Sequence, residues 1–179
     1  MHAPAGVDRL RALLLYDGAA RELVAGLKYR NARAVVAWLV AGMSALAVPW
    51  SASIDLVTWA PTTADRRRDR GFDQAELLAR GIAREIKRPV TRVLERRRGP
   101  PQTGRPAHER ASGVEFTCAE RRSSRALGDA CVLVVDDVTT TGATLAAAAH
   151  ALRGRGARSV VAITAASTPL KLTEGPADA

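Results

Sequence analysis

Residues 132 to 145, VLVVDDVTTTGATL, drive four apolar residues straight into two adjacent carboxylates and then into a small, hydroxyl-rich loop. A short β-branched run of this kind reads as a strand buried on both faces, as parallel sheets require. An Ala-rich helix follows from about 143 to 153 and stops at Gly154; a second strand-like run, SVVAITAA, begins at 159. Strand, helix and strand with short joins make a βαβ unit, which predicts an α/β fold with a mainly parallel sheet flanked by helices. Ligands of such sheets bind beyond the carboxyl ends of the strands, so Asp136 and Asp137 are expected to emerge at the binding rim. The next helix starts with amides that lack internal partners. With the helix dipole and the Thr hydroxyls they suit an anion, and Gly142 lets the backbone come close to it. Carboxylates beside an anion cradle make sense if one ligand offers hydroxyls to the acids and a phosphate to the loop. A sugar 5-phosphate does both.

The rest of the chain is consistent with one α/β domain over 1–179. Residues 9 to 16 lead to a turn at Asp17-Gly18, and apolar residues recur at helical spacing from 19 to 48, with a break near Arg30-Asn31. IDLVTWA at 54 to 60 reads as a strand stopped by Pro61. Asp73 with Glu76 forms a candidate capping box, opening a helix that carries Leu77, Leu78, Ile82 and Ile86 and closes at Pro89. Residues 97 to 113 are too polar and too rich in Pro and Gly to pack, which marks a functional or disordered loop. The chain is expected to fray from about 170.

Composition narrows the partners. With 47% hydrophobic and 4% aromatic residues, the core must be aliphatic, and Trp38, Trp50 and Trp59 are expected within it. Residues 34 to 54 carry no charge, but Ser44, Pro49, Ser51 and Ser53 interrupt them, so a buried helix is expected and no membrane span. Cys118 and Cys131 form no disulfide framework and no signal-like segment opens the chain; the expected setting is the cytoplasm. His2, His108 and His150 lack neighbours at metal-ligand spacing. A net charge of +9 favours an anionic partner: nucleic acid, a membrane surface or a phosphorylated small molecule. The arginines are dispersed, and the aromatics are too few for a base-stacking platform.

The 132–145 segment resembles the phosphoribosyl-diphosphate (PRPP) signature of the type I phosphoribosyltransferases. The resemblance implies that the catalytic acids Asp136 and Asp137 hold the ribose 2- and 3-hydroxyls. Val138, Thr139, Thr140, Thr141, Gly142, Ala143 and Thr144 would then bind the 5-phosphate. YDGAARELVAGLKYR at 16, APTTADRRRDRGFDQAELLAR at 60 and the basic loop after it resemble the ComF family of competence-associated proteins. Arg68, Arg70, Gly71, Phe72, Asp73, Gln74 and Ala75 form the most specific part of that likeness. The chain departs from the family in three ways. No four-cysteine zinc ribbon is present, so no zinc is expected; Asp73 stands where Asn is usual; and the segment after Glu109-Arg110 is short and lacks the customary Asn.

By resemblance, Ala60, Pro61, Thr62 and Thr63 form a diphosphate loop whose amides, with Arg68 and Arg70, face the diphosphate. A flexible lid over about 96–113, with Arg97, Gln102, Arg105 and Arg110, would close over it and exclude water. Lys28 and Tyr29 match a motif near the base side. No metal is expected to be held by the protein alone; Mg²⁺ is implied through PRPP, with Asp136 and Asp137 as candidate contacts. The implied reaction is displacement of diphosphate from ribose C1 by an unidentified nitrogen acceptor. Thr140 stands where enzymes of 6-oxopurine salvage usually carry an acid, which argues against that subclass. The alternatives are a DNA-uptake or recombination accessory and a PRPP-binding regulator that use the same phosphate site. Weak single-stranded DNA binding and a homodimer are further partners this reading allows.

Overall fold

The apolar run at 132–135 is the middle of a longer strand, β5 (Cys131–Thr139), at the centre of a parallel sheet. The computed structural model describes residues 3–26, 33–97, 114–119 and 127–168. Lys28 and Tyr29, most of the proposed lid and the expected frayed end lie outside these. The remaining elements are β1 (Arg9–Leu15), α1 (Gly18–Gly26), α2 (Arg33–Ala47), β2 (Leu56–Trp59), α3 (Ala64–Arg70), α4 (Gln74–Glu85), β3 (Leu94–Arg96), β4 (Phe116–Cys118), α5 (Ala143–Arg153) and β6 (Ser159–Ser167). The sheet order is β1-β6-β5-β2, all parallel, as the βαβ pattern requires, and β3 and β4 form a separate antiparallel pair.

Alternation along β5 divides the core into two layers. Leu133 and Val135 join Leu39, Met43, Leu78 and Ile82 beneath α2 and α4. Val132 and Val134 join Leu145, Ala148 and Leu152 of α5, with Leu94, Phe116 and Cys118 of the β3–β4 pair. α2 takes up residues 34–47 of the chargeless stretch, and among the described residues no helix is long and apolar enough to cross a membrane.

Two expectations need correction. Trp50 and Trp59 are buried, but Trp38 is 52% exposed, because Leu39 and Met43 occupy the inward side of α2 and Trp38 sits one residue round the helix. The lid cannot begin at 96, because Arg96 belongs to β3 and is paired with Phe116. Asp73 does cap α4, with its carboxylate accepting from the amides of Ala75 and Glu76. The reciprocal half of the capping box is replaced: the Glu76 carboxylate takes Arg80 at 2.9 Å and Arg67 at 3.8 Å.

Candidate active site

Unequal strand lengths expose the acidic pair. Trp59, the last residue of β2, stands opposite Val135, and the Ala60 amide donates the closing bond to the Val135 carbonyl. β5 runs on for four more residues, paired on its other edge to β6 as far as Thr139 and Ser167. Asp136 and Asp137 therefore lie inside the strand rather than after it, on an edge that β2 has left open. Asp136 Oδ1 accepts from the Asp137 amide at 2.9 Å, and Asp137 Oδ1 from the Val138 amide at 2.7 Å. Burial, with the neighbouring charge of Asp137 second, pushes the Asp136 carboxyl well above the usual aspartate range.

A cavity of about 190 Å³ opens on this edge. Its lining includes Asp136, Asp137, Val138 and Thr144, Ala60 and Thr62 from the end of β2, Arg66 and Arg70 of α3, Gln74, and Arg96 of β3. Cations and acids thus share one small space. Burial, with the nearby Arg66, lowers Arg96 from the ordinary arginine value, while Asp136 opposes that shift. The Arg70 guanidinium donates to Gln74 Oε1 at 3.2 Å. A larger cavity, about 1010 Å³, lies on the other side of Thr62 and Asp73, and Arg67, Arg68, Arg92 and Arg97 line it with Arg96.

The structure brings together some of the expected residues and separates others. Arg70 joins the acidic pair. Arg68 lines the outer cavity, well exposed and 3.4 Å from Asp65. Arg97 also faces outward, 3.9 Å from Glu115. Two of the amides expected to face a ligand at residues 60–63 are engaged within the fold. Ala60 donates within the sheet, Pro61 has no N–H, and the Thr62 amide donates to Asp73 Oδ2 at 2.9 Å. Side chains must supply most of the donors here. Sequence reasoning passed over Arg66 and Arg96. The signal for Arg66 was its spacing, since Arg66 and Arg70 are four apart on α3 and share a face, whereas Arg68 does not.

The loop after β5 has the expected form. Thr139 is buried, Thr140 and Thr141 are exposed, and Thr141 Oγ1 accepts from the Ala143 amide at 3.4 Å. Gly142 caps α5 at φ +76°, and a Cβ there would meet Pro4 Cγ at 2.5 Å. Gly142→Ala is therefore expected to destabilise the fold by about 1–3 kcal/mol through left-handed strain, before any cost of displacing Pro4. Gly128, where a Cβ would meet nothing within 4 Å, is the control. Thermal denaturation of both variants, with Gly142→Ala melting no lower than Gly128→Ala, would refute this.

Residues 73–174 match the Phosphoribosyl transferase domain family. No curated protein matches the sequence. Among solved structures, the purine phosphoribosyltransferase from Pyrococcus horikoshii is 15% identical, aligns over 77% of each chain and superposes with a TM-score of 0.50. The hypoxanthine phosphoribosyl transferase of Trypanosoma cruzi is 14% identical over 84% of this chain and 75% of its own, at a TM-score of 0.45. An allosteric regulatory enzyme of purine biosynthesis is 19% identical over 73% of this chain, at 0.48; this chain spans only 26% of that enzyme's length. The Pyrococcus likeness is one of fold, and the matched segment runs through α4, both acids, the loop after them, and β6. The chain belongs to the Phosphoribosyl transferase domain family and has the type I phosphoribosyltransferase fold.

Proposed function

We propose that the chain binds PRPP with Mg²⁺ and transfers its ribose 5-phosphate to a nitrogen acceptor, as a phosphoribosyltransferase of the ComF type. The observation that carries this reading is the convergence of Asp136, Asp137, Arg66, Arg70, Arg96 and Thr144 on one cavity at the strand rim. PRPP needs such a mixture: acceptors for two ribose hydroxyls and cations for a diphosphate. Asp136 and Asp137 would accept from the hydroxyls. Thr139 to Thr144 would hold the 5-phosphate, through the first-turn amides of α5 and the Thr hydroxyls. Arg66, Arg70 and Arg96 would hold the diphosphate and stabilise charge as it leaves C1. Arg97 and the segment carrying Gln102, Arg105 and Arg110 would close over it from the β3–β4 pair, and Lys28 and Tyr29 would serve the acceptor side.

The donor set fits Mg²⁺, a hard cation that takes one or two carboxylates together with substrate phosphates and water. Asp136 and Asp137 supply two such carboxylates. Among the described residues no cluster of three or more His, Cys, Asp or Glu could hold a metal, so the ligand would complete the coordination. When bound, the ion would neutralise charge on PRPP and favour ionised acids; the arginines and the Thr loop would do the positioning.

Calorimetry with PRPP and Mg²⁺ tests the reading. We expect saturable binding that weakens only mildly with salt, since a few convergent groups hold one ligand. Single-stranded DNA should bind weakly, and its affinity should fall with a log–log salt slope of about −0.7 per phosphate contact. Absence of PRPP binding, together with tight DNA binding that survives moderate salt, would replace this reading with the DNA-accessory one.

A further inference from the structure

Asp73 uses both of its carboxylate oxygens, in two different directions. Oδ1 accepts from the amides of Ala75 and Glu76 at 3.1 and 3.4 Å, capping α4, while Oδ2 accepts from the Thr62 amide at 2.9 Å. Thr62 and Asp73 are eleven positions apart, so this one side chain ties together the two ends of the excursion that carries α3. The carboxylate is 5% exposed and lies in the partition between the two cavities. α3 itself has no buried residue. Apolar packing therefore does little to place it; polar ties at its base do.

We propose that Asp73 is a positioning residue, whose bridge from Thr62 to the start of α4 sets where Arg66 and Arg70 stand against the acidic pair. The inference rests on the phosphoribosyltransferase reading for its functional consequence, but not for the bridge. The bridge needs two acceptor oxygens. An asparagine offers one, plus an NH₂ group that can only donate. Because asparagine caps helices as well as aspartate does, Asp73→Asn would keep α4 and present a donor to the Thr62 amide. The neck of the excursion opens while the helix behind it stays formed. Gly71, left-handed at φ +78°, ends α3 and turns the chain back toward this neck.

The test compares wild type with Asp73→Asn and Asp73→Ser, both of which retain a capping side chain. Amide exchange is read at Thr62 and through α3 by NMR without ligand, and affinity for PRPP and for inorganic pyrophosphate by calorimetry. Both variants should speed exchange at Thr62 and weaken both ligands about tenfold, since small misplacement of binding groups costs affinity well beyond the lost bond. A core variant matched in melting temperature, Leu152→Val, should bind both ligands as wild type does. Unchanged Thr62 exchange in both variants would overturn the proposal, as would faster exchange with unaltered affinity. If wild type binds neither ligand, the phosphoribosyltransferase reading fails, and the bridge still stands or falls on the exchange data.

Discussion

Replacing Asp136 and Asp137 together by asparagine is expected to abolish PRPP binding while raising the melting temperature of the free protein. These effects have opposite signs because the site holds acids where the fold alone would not. Asp136 is buried beside a second carboxylate, so its folded-state pKa lies well above the ordinary aspartate value of about 3.9, which the unfolded chain keeps. An acid raised in this way contributes stability that is complete below the unfolded pKa and is lost as pH climbs through the folded one. Near neutrality the free protein therefore bears the cost of burying Asp136 beside a second carboxylate. Asparagine removes that cost and still offers Oδ1 to the amides of Asp137 and Val138 that the two acids now serve. A gain of about 1 kcal/mol would raise the melting temperature by about 2–4 °C in a chain of this size. Ribose hydroxyls and Mg²⁺ favour the ionised acids, so PRPP binding should release protons and strengthen as pH rises above the usual carboxylate range. Losing two charge-assisted contacts of about 1.5–3 kcal/mol each should weaken PRPP at least about a hundredfold. Calorimetry in buffers of different ionisation enthalpy, with melting curves, reads all three effects. A double variant that melts lower and binds PRPP normally would remove the acids from the site.

The sequence was most legible where local pattern and tertiary environment ask for the same residues. Val132 to Val135 and Val160 to Ala166 are buried on both faces, so they contain no polar residue except Thr164, and their strands could be read directly. The Ala-rich helix between them matches α5 from Ala143 to Arg153, with Gly142 and Gly154 as its caps. β1 was harder. It is an edge strand with Arg9 and Arg11 in it, and Arg11 is accommodated by stacking 4.7 Å from the Trp50 ring and bonding the Leu46 carbonyl, contacts made across the fold. β3 and β4 are three residues each and are separated by the polar loop, so no periodicity could reveal them.

The site divides in the same way. The acids and the Thr-Gly loop are contiguous in sequence, and a strand ending in a helix N-terminus explains them locally. Pro61 marks the end of β2 in the sequence, but nothing there shows that β5 continues past it to Thr139, and that mismatch opens the edge on which Asp136 and Asp137 lie. Nor could the sequence show where the Thr62 amide goes. A turn such as Ala60-Pro61-Thr62-Thr63 offers amides on paper, and only the fold reveals that the Val135 carbonyl and Asp73 have taken those of Ala60 and Thr62.

On the phosphoribosyltransferase reading, with the Ala60 and Thr62 amides committed, the diphosphate would be held mainly by guanidinium groups, and position rather than sequence motif should decide which ones matter. Arg70→Ala and Arg96→Ala are each expected to weaken PRPP by about 10- to 100-fold, the loss of one charge-assisted contact in a small, partly desolvated cavity. Arg66→Ala should act in the same direction. Arg68→Ala should change affinity by less than about threefold, because Arg68 lies in the outer cavity, is largely solvated and has Asp65 at 3.4 Å; exposed pairs of this kind contribute about 0–1 kcal/mol. The contrast follows from helical geometry: Arg66 and Arg70 project from one face of α3 and Arg68 from another. Stability should separate the variants differently. Arg96 also sits over the Phe116 ring at 5.8 Å, so its loss should lower the melting temperature slightly, whereas Arg68→Ala should leave it unchanged. Inorganic pyrophosphate, which lacks the ribose, should report the same ranking as PRPP, because the arginines are assigned to the diphosphate and not to the sugar. A ranking in which Arg68→Ala costs as much as Arg70→Ala would move the diphosphate into the outer cavity and leave the inner one to the ribose alone.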